Sequence, residues 1–167
     1  MSLESVRAFL ATRAPDIAVV ELDGSTATVA LAAEGHGVAP AQIAKTLSLR
    51  VKDRNLLLVT SGIARLDNKK VKAAFGGKPR MLAPEEVAAI TGHPVGGVCP
   101  FGLATPLPVY CDVSLKAFDE VVPAAGSTRS ALRINPLLCR CRADCPCAVA
   151  PRCRRRNPRA PGCGSGG

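Results

Sequence analysis

Aromatic side chains are scarce in this 167-residue chain, which has four Phe, one Tyr and no Trp. The core must therefore be built from Val, Leu, Ile and Ala. The longest apolar runs, such as LLLV at residues 56–59, are far too short to cross a membrane. The chain starts MSLESVRAFL, which places Glu4 and Arg7 where a signal peptide needs unbroken apolar residues. We therefore expect a cytoplasmic protein.

The motifs of several large enzyme classes are also missing. The chain has no P-loop, no dinucleotide-binding glycine pattern, no HExxH motif and no GxSxG nucleophile elbow. Its only histidines are His36 and His93. Cys99 and His93 are one candidate nucleophile–base pair, but two such residues close together in a single loop do not match a recognised arrangement. The simpler interpretation is that Cys99 is a small buried residue and that His93 is a loop residue with a backbone partner.

Charge and cysteine divide the chain into two unequal parts. Residues 137–167 hold seven arginines and one acid, a net charge of +6, whereas residues 1–136 hold 15 basic and 12 acidic groups, a net charge of +3. Six of the eight cysteines lie in the same C-terminal part. Their C-x-C-x3-C-x-C spacing differs from the C-x2-C pairs of a zinc ribbon, so a metal site is disfavoured. We expect one domain over 1–136 and a tail over 137–167 that is disordered or translated from a shifted reading frame.

The pattern of residues within 1–136 indicates a mixture of helices and strands. Four segments have the capping residues and apolar spacing typical of helices, and they begin at Ser2, Ser25, Asp67 and Pro84. Five segments have the composition or alternation of strands: 17–22, 45–51, 56–61, 107–113 and 131–135. Residues 45–61 are predicted to form a hairpin. Because helices and strands alternate without a regular βαβ period, we expect a mixed α+β fold rather than a doubly wound sheet.

Lysines supply the first candidate binding groups. Lys45 stands at the start of a half-apolar strand. It is either a solvated strand-end lysine or a cation placed at a cleft to meet a phosphate or a carbonyl oxygen. Lys69, Lys70 and Lys72 form a charged helix face, which is usually only solvated but can also lie along a nucleic-acid backbone.

The segment TGHPVGGVCPFGL, residues 91–103, is the second candidate. It contains four glycines, which free the backbone for positive φ and for close approach of a ligand, and two prolines, which stiffen it. A loop of this kind can point several N–H groups at one oxygen and so bind an oxyanion or a carbonyl group. On the pattern alone, a purely structural turn is nearly as good an interpretation.

Five blocks of sequence, in this order, resemble the YbaK/prolyl-tRNA synthetase editing-domain family. They are IAKTL at 43–47, ARLDNKKVKAAFG at 64–76, TGHPVGGVCPFGL at 91–103, LPVYCDVSL at 107–115 and AAG at 124–126. Within that family the chain is most similar to the freestanding prolyl-tRNA editing proteins of the ProX or ProXp-x group. The resemblance covers residues 1–136. It implies an α+β fold with a mixed, strongly curved, barrel-like sheet flanked by helices.

The resemblance also implies an activity and its residues. Such proteins hydrolyse the ester of a mischarged tRNA-Pro that carries alanine, cysteine or a small analogue such as 2-aminobutyrate. In this chain Lys45 matches the family's essential lysine, and the G-x-x-x-P segment from Gly96 to Pro100 would hold the ester carbonyl and the terminal adenosine through backbone groups. The resemblance thus implies a catalytic set and a substrate-binding set. The catalytic set is Lys45, Gly96 and Gly97, and the substrate-binding set is Thr46, His93, Val98, Cys99 and Pro100.

No cofactor and no metal are expected from the resemblance. The expected partner is the acceptor CCA end of a misacylated tRNA, with prolyl-tRNA synthetase or an elongation factor as further partners, no membrane, and a monomer or weak dimer. The alternative is a non-catalytic module that binds tRNA or another nucleic acid through the same cleft. Lys45 favours the enzyme, because a pure binder would need a broader basic surface than a net charge of +3 provides.

Overall fold

A computed structural model describes residues 2–136 of the chain. The tail expected to be disordered or frameshifted, with its candidate metal-binding cysteines, lies outside the described residues. The described part is a mixed α+β fold, which confirms the predicted fold class. Its helices and strands, in chain order, are α1 (Ser2–Arg13), β1 (Val19–Glu21), α2 (Val29–His36), β2 (Ile43–Val51), β3 (Arg54–Ser61), α3 (Asn68–Phe75), β4 (Pro79–Met81), α4 (Pro84–Thr91), β5 (Val109–Cys111), β6 (Val122–Pro123) and β7 (Ser130–Leu132).

The predicted hairpin is the centre of the sheet. Strands β2 and β3 pair antiparallel from Ala44 opposite Ser61 to Val51 opposite Arg54. A two-residue turn joins them, and Lys52 in that turn has a positive φ of 55°. One face of the hairpin contributes Leu57 and Val59 to the main core, whereas Leu49 and Leu58 lie in a second apolar cluster under α3. Each face of the hairpin is therefore covered by its own layer.

Two short strands share the other edge of β2. β6 pairs parallel with Ile43 and Ala44, and β4 pairs antiparallel with Leu49–Val51. Because β3 already occupies one edge of β2 from Ala44 onward, both β4 and β6 must lie on the opposite edge. Between them, β2 has a gap in its strand pairing.

The sheet is open rather than barrel-like. The main sheet has the order β4-β2-β3-β5 with β6 beside β2, and β1 and β7 form a separate two-stranded sheet. Isolated bridges from Val121 to Ile134 and from Ala124 to Ala131 connect β6 with the β7 segment. Within residues 2–136 no strand pairing joins β5 back to β1, so the expected barrel closure and strong curvature are not found.

The helices begin and end where the sequence signals indicate, with one shift. Asp67 caps α3 by accepting hydrogen bonds from two backbone N–H groups, and Gly76 ends it in the left-handed conformation. The helix predicted to begin at Ser25 begins three residues later, because Thr28 rather than Ser25 is its N-cap. The stretch before Thr28 is consequently an extended segment, and this segment turns out to line the site.

The described residues show no long apolar helix and no metal-binding cluster. No helix in this part of the chain is long and apolar enough to span a membrane. Likewise, no group of three or more His, Cys, Asp or Glu side chains within residues 2–136 could hold a metal ion.

Candidate active site

A cavity of about 100 Å³ lies beside the gap in the pairing of β2. Its wall is built from the extended segment before α2, from β2, from the glycine-rich loop, and from β6 and β7. Small apolar side chains dominate this wall, and Lys45 is the only charged residue among its described lining residues. Within residues 2–136, no His, Cys, Asp or Glu lines the cavity.

Thr46 presents free hydrogen-bonding groups to this cavity. Backbone groups alternate between the two edges of a strand. The carbonyl of Ile43 accepts from Gly62 beyond β3, whereas the carbonyl of Ser48 accepts from Leu82 on the β4 side. The N–H and C=O of Thr46 therefore point to the same edge as those of Ser48, into the gap between β6 and β4. The Oγ1 of Thr46 is buried and has no hydrogen-bond partner among the described residues.

Lys45 is held in place by the chain that follows β3. Its Nζ donates to the carbonyl oxygen of Gly62 at 3.2 Å and to that of Ala64. An ammonium group has three donors, so one remains for a ligand. Lys45 is half-buried and is one of the residues that line the cavity.

The glycine-rich loop contributes Gly96 and Val98 to the lining. Gly96 has a φ of 84°, which strongly favours glycine, and an added Cβ would lie 3.1 Å from the Cβ of Ala27. Neither Gly96 nor Val98 makes a hydrogen bond to any other residue in the range 2–136. Their backbone N–H groups are therefore available for an acceptor oxygen in the cavity.

The remaining predicted residues of the loop lie away from the cavity. Gly97, Cys99, Pro100 and His93 are buried, and none of them is part of the lining. The N–H of Gly97 donates to Pro94, and its carbonyl accepts from Gly126. An added Cβ at Gly97 would lie 2.7 Å from the carbonyl carbon of Ser127, so this glycine permits close backbone packing. Gly96 thus allows a left-handed backbone conformation beside Ala27 at the cavity, whereas Gly97 allows close packing against Ser127.

Cys99 and His93 both belong to the core beneath α1. Cys99 is fully buried in the main apolar cluster, and burial raises the pKa of its thiol to about 12. The ring of His93 is hydrogen-bonded at both nitrogens, with Nδ1 2.7 Å from the Oγ of Ser2 and Nε2 3.0 Å from the carbonyl oxygen of Phe101. Burial lowers the pKa of His93, so the ring is neutral and Nε2–H is the donor to Phe101. Cys99 is therefore a small buried residue, and His93 is a loop residue with a backbone partner, as the simpler interpretation predicts.

Sequence reasoning missed one whole side of the cavity. The segment before α2 and the β6–β7 region contribute Thr26, Ala27, Thr28, Val29, Val122, Ala124, Ser130 and Ala131. The hydroxyls here have partners: Thr26 donates to Thr128, Thr28 caps α2, and Ser130 bonds to Ser127. The available signal was the run of small and hydroxyl residues STATV, which was assigned to a helix start.

The arrangement is suited to holding a polar acyl group without covalent attack. It combines one ammonium donor, one free hydroxyl, and backbone donors at Thr46, Gly96 and Val98 around a small apolar space. Such donors stabilise charge that develops on an oxygen, and they work best where water is excluded.

Comparison with known proteins places the chain in a family. The family described as aminoacyl-tRNA editing domain matches residues 23–141. The uncharacterised protein YwhH of Bacillus subtilis is 50% identical over 137 residues, which cover 81% of this chain and 87% of YwhH. The Enterococcus faecalis protein EbsC, provisionally named a Cys-tRNA(Pro)/Cys-tRNA(Cys) deacylase, is 29% identical over 62% of this chain and 65% of its own length.

A solved structure is similar to this chain in both fold and sequence. A crystal structure provisionally assigned as a trans-editing enzyme for prolyl tRNA synthetase superposes with a TM-score of 0.81. It is 37% identical and covers 86% of this chain and 92% of that one. The chain therefore belongs to the aminoacyl-tRNA editing domain family, and its enzyme class is that of the aminoacyl-tRNA deacylases, which hydrolyse an ester.

Proposed function

We propose that this protein is a trans-editing hydrolase that removes a small amino acid from mischarged tRNA-Pro. The amino acids in question are alanine, cysteine and analogues of the size of 2-aminobutyrate. A synthetase pocket shaped for proline rejects smaller apolar side chains by only about 1–3 kcal/mol per methylene, so a second hydrolytic site is needed for accuracy.

The size of the cavity supports a small acyl group. Its volume of about 100 Å³ is well below the roughly 300–1,000 Å³ of pockets that hold drug-sized ligands. Alanine residues at 27, 32, 44, 124 and 131 line it, together with Val29, Ile43 and Val122. A small apolar cavity of this kind favours a methyl, thiol or ethyl group over a bulky side chain.

The free donors around the cavity support a mechanism based on positioning. A water molecule attacks the ester carbonyl, and the carbonyl oxygen gains negative charge. The third donor of Lys45 and the N–H groups of Gly96 and Val98 stabilise that charge by hydrogen bonding, while Thr46 orients the acyl group. The bond from the carbonyl carbon to the ribose oxygen then breaks, and the ribose oxygen takes the proton that the water loses. The substrate's neighbouring ribose hydroxyl assists the water, since the lining supplies no His or carboxylate base.

The expected partner is the acceptor CCA end of tRNA. We place the reaction in the cytoplasm, with prolyl-tRNA synthetase or an elongation factor as the protein that passes on the mischarged tRNA. The single observation that carries the proposal is that one cavity is lined both by Lys45, the only charged residue among its described lining residues, and by Thr46, whose hydroxyl has no partner within residues 2–136.

A panel of aminoacyl-tRNAs tests the proposal. The purified full chain is incubated with tRNA-Pro charged with alanine, cysteine, 2-aminobutyrate or proline, and the remaining ester is measured over time. We expect hydrolysis of at least one small misacyl group at least ten times faster than that of proline, which corresponds to about 1.4 kcal/mol in the barrier. Binding of these tRNAs without hydrolysis of any of them would instead support a non-catalytic RNA-binding module.

A further inference from the structure

The positive charge of the described domain is concentrated in one stretch of sequence. Residues 50–80 contain nine basic and two acidic side chains, a net charge of +7. The rest of residues 1–136 contains six basic and ten acidic side chains, a net charge of −4. The net charge of +3 over residues 1–136 is therefore the sum of a strongly positive stretch and a negative remainder.

Seven of these nine cations are exposed and make no ion pair with another described residue. They form what we call the α3 surface: Lys52, Arg54, Arg65, Lys69, Lys70, Lys72 and Lys78. The other two, Arg50 and Arg80, share the carboxylate of Glu86 at 2.9 and 3.5 Å. The α3 surface thus keeps its charge free for an external anion.

The α3 surface is rigidly attached to the sheet. Val71 is buried in the cluster formed with β2 and β3, and the ring of Phe75 meets that of Tyr110 edge-on at 4.7 Å between centroids. Two acids lie within residues 50–80: Asp53 stands between Lys52 and Arg54 in the sequence, and Asp67 accepts with its carboxylate from the N–H groups of Lys69 and Lys70. With eight residues, α3 is about 12 Å long.

The α3 surface is also continuous with the cavity. The carbonyls of Gly62 and Ala64 that hold the ammonium of Lys45 belong to the segment that leads directly into α3. Arg65 is the next residue along that segment, and it is exposed. A polymer whose end enters the cavity past Lys45 would therefore meet the α3 surface as it leaves.

We propose that the α3 surface binds the sugar-phosphate backbone of the tRNA acceptor stem. This inference rests on the proposed function, which places the 3′ end of a tRNA in the cavity. Lysines and arginines that project from a helix bind phosphates as charges without reading sequence, so they set affinity and orientation. Substrate choice remains with the cavity, and the α3 surface supplies the binding energy that a small acyl group cannot.

Binding of an uncharged RNA hairpin tests the α3 surface independently of catalysis. A fluorescein-labelled acceptor-stem hairpin ending in CCA is titrated with the full chain, and anisotropy gives Kd at several salt concentrations. Lys72→Gln should weaken binding and lower the slope of log K against log [salt] by about 0.9. The matched control is Lys116→Gln, since Lys116 is also an exposed lysine in the last turn of a helical segment.

A triple variant and the matched control decide the proposal. A triple Lys69→Gln, Lys70→Gln, Lys72→Gln variant should lower the slope by about two to three units, in proportion to the charges removed. The arginines of the tail are the same in every variant, so only the differences report the α3 surface. An unchanged slope in the triple variant, or an equal loss in Lys116→Gln, would overturn the proposal. A third result would also overturn it: the original protein binds phosphatidylserine vesicles, and the triple variant loses this vesicle binding but keeps its RNA binding.

Kinetics separate failure of the α3 surface from failure of the proposed function. Two substrates are compared, mischarged tRNA and a short 3′-aminoacyl-adenosine ester. In the triple variant, kcat/KM for the tRNA divided by kcat/KM for the short ester should fall at least tenfold. The fall should come from a higher KM for the tRNA. An equal ratio in the triple variant and the original protein would count against the α3 surface. If the protein hydrolysed neither substrate, the proposed function would fail while the hairpin titration would still decide whether the α3 surface binds RNA.

Discussion

The ammonium of Lys45 lies 3.2 Å from the carbonyl oxygen of Gly62 and 2.5 Å from that of Ala64, so the segment after β3 fixes the only charged side chain among the described residues of the cavity wall. Two carbonyl acceptors hold the side chain in one position while leaving one donor. The structural role of Lys45 and its proposed chemical role can be separated by experiment.

Replacement of Lys45 by Met should abolish most hydrolysis while the fold survives. The apolar stem of Met keeps the packing, but the donor to the developing oxyanion is lost, which costs about 10²–10³-fold in kcat. Single-turnover deacylation measures the effect, and Lys116→Met, on an exposed lysine away from the cavity, is the control. Activity of Lys45→Met within about threefold of the original protein, roughly 0.65 kcal/mol, would remove Lys45 from the mechanism.

Replacement of Thr46 by Val should raise stability and lower activity. Its buried Oγ1 has no partner within residues 2–136, and such a group costs about 1–3 kcal/mol of unfolding free energy. Ser48 is a matched control, because its buried Oγ is also unpaired but lies outside the cavity. Ser48→Ala should therefore raise stability without slowing deacylation. Urea unfolding and deacylation rates measure both effects, and equal losses of activity in the two variants would argue against a ligand at Thr46.

Replacement of Gly97 by Ala should destabilise the protein. The added Cβ would meet the backbone of Ser127 at 2.7 Å, and overpacking of this kind costs about 1–3 kcal/mol. Gly24→Ala is the control, since nothing lies within 4 Å of a Cβ at that position. Thermal unfolding compares the two. If Gly97→Ala melted like the original protein yet lost turnover, Gly97 would contact the substrate after all.

Cys99 should be unreactive in the folded protein. Its thiol is fully buried with a pKa of about 12, so almost no thiolate forms at neutral pH. Treatment with iodoacetamide at about pH 8, followed by peptide mass mapping, should label Cys99 only after denaturation. Cys99→Ala should keep activity within a few-fold. A covalent acyl adduct trapped on Cys99 during turnover would contradict this prediction and establish a nucleophilic mechanism.

His93 should make stability depend on pH. Burial lowers its folded pKa below the ordinary value of 6.5, so the unfolded chain binds more protons just below that pH. The free energy of unfolding should be highest above about pH 6.5 and fall as the pH drops below it. His36, whose pKa is also lowered by burial, adds to this effect, so the difference between the original protein and His93→Gln isolates His93. A His93→Gln variant with the same pH dependence as the original would contradict the assignment.

The local structure of this protein was well predicted from its sequence. The β2–β3 hairpin follows from the alternation of residues 45–51, a turn and the apolar run at 56–59, and α3 and α4 follow from Asp67, Pro84 and their closing glycines. These features depend on residues close together in the chain. The α2 start was misplaced by three residues because several hydroxyl residues precede it, and only tertiary contacts select Thr28 as the cap.

The lining of the cavity was predicted only in part, because it depends on contacts between residues that are far apart in the sequence. Lys45, Thr46, Gly96 and Val98 do line the cavity, whereas Gly97 is turned toward Ser127. Which glycine of a pair faces a ligand depends on the distant segment that packs against the other. The wall formed by β6 and β7 arises from pairing between Ile43 and Val122, which are far apart in the sequence. The open sheet could not be anticipated either, since closure depends on which strand edges meet.

The gap in the pairing of β2 has a consequence for solubility as well as for chemistry. Unpaired strand edges invite addition of a strand from another molecule, which leads to aggregation. Here β6 ends opposite Ala44 and β4 ends opposite Leu49, so the free stretch is only about 13–17 Å long at roughly 3.3 Å per residue. A foreign strand entering there would run into both flanking strands. The short gap beside the cavity thus keeps out the long, flat strand that an exposed edge would otherwise attract.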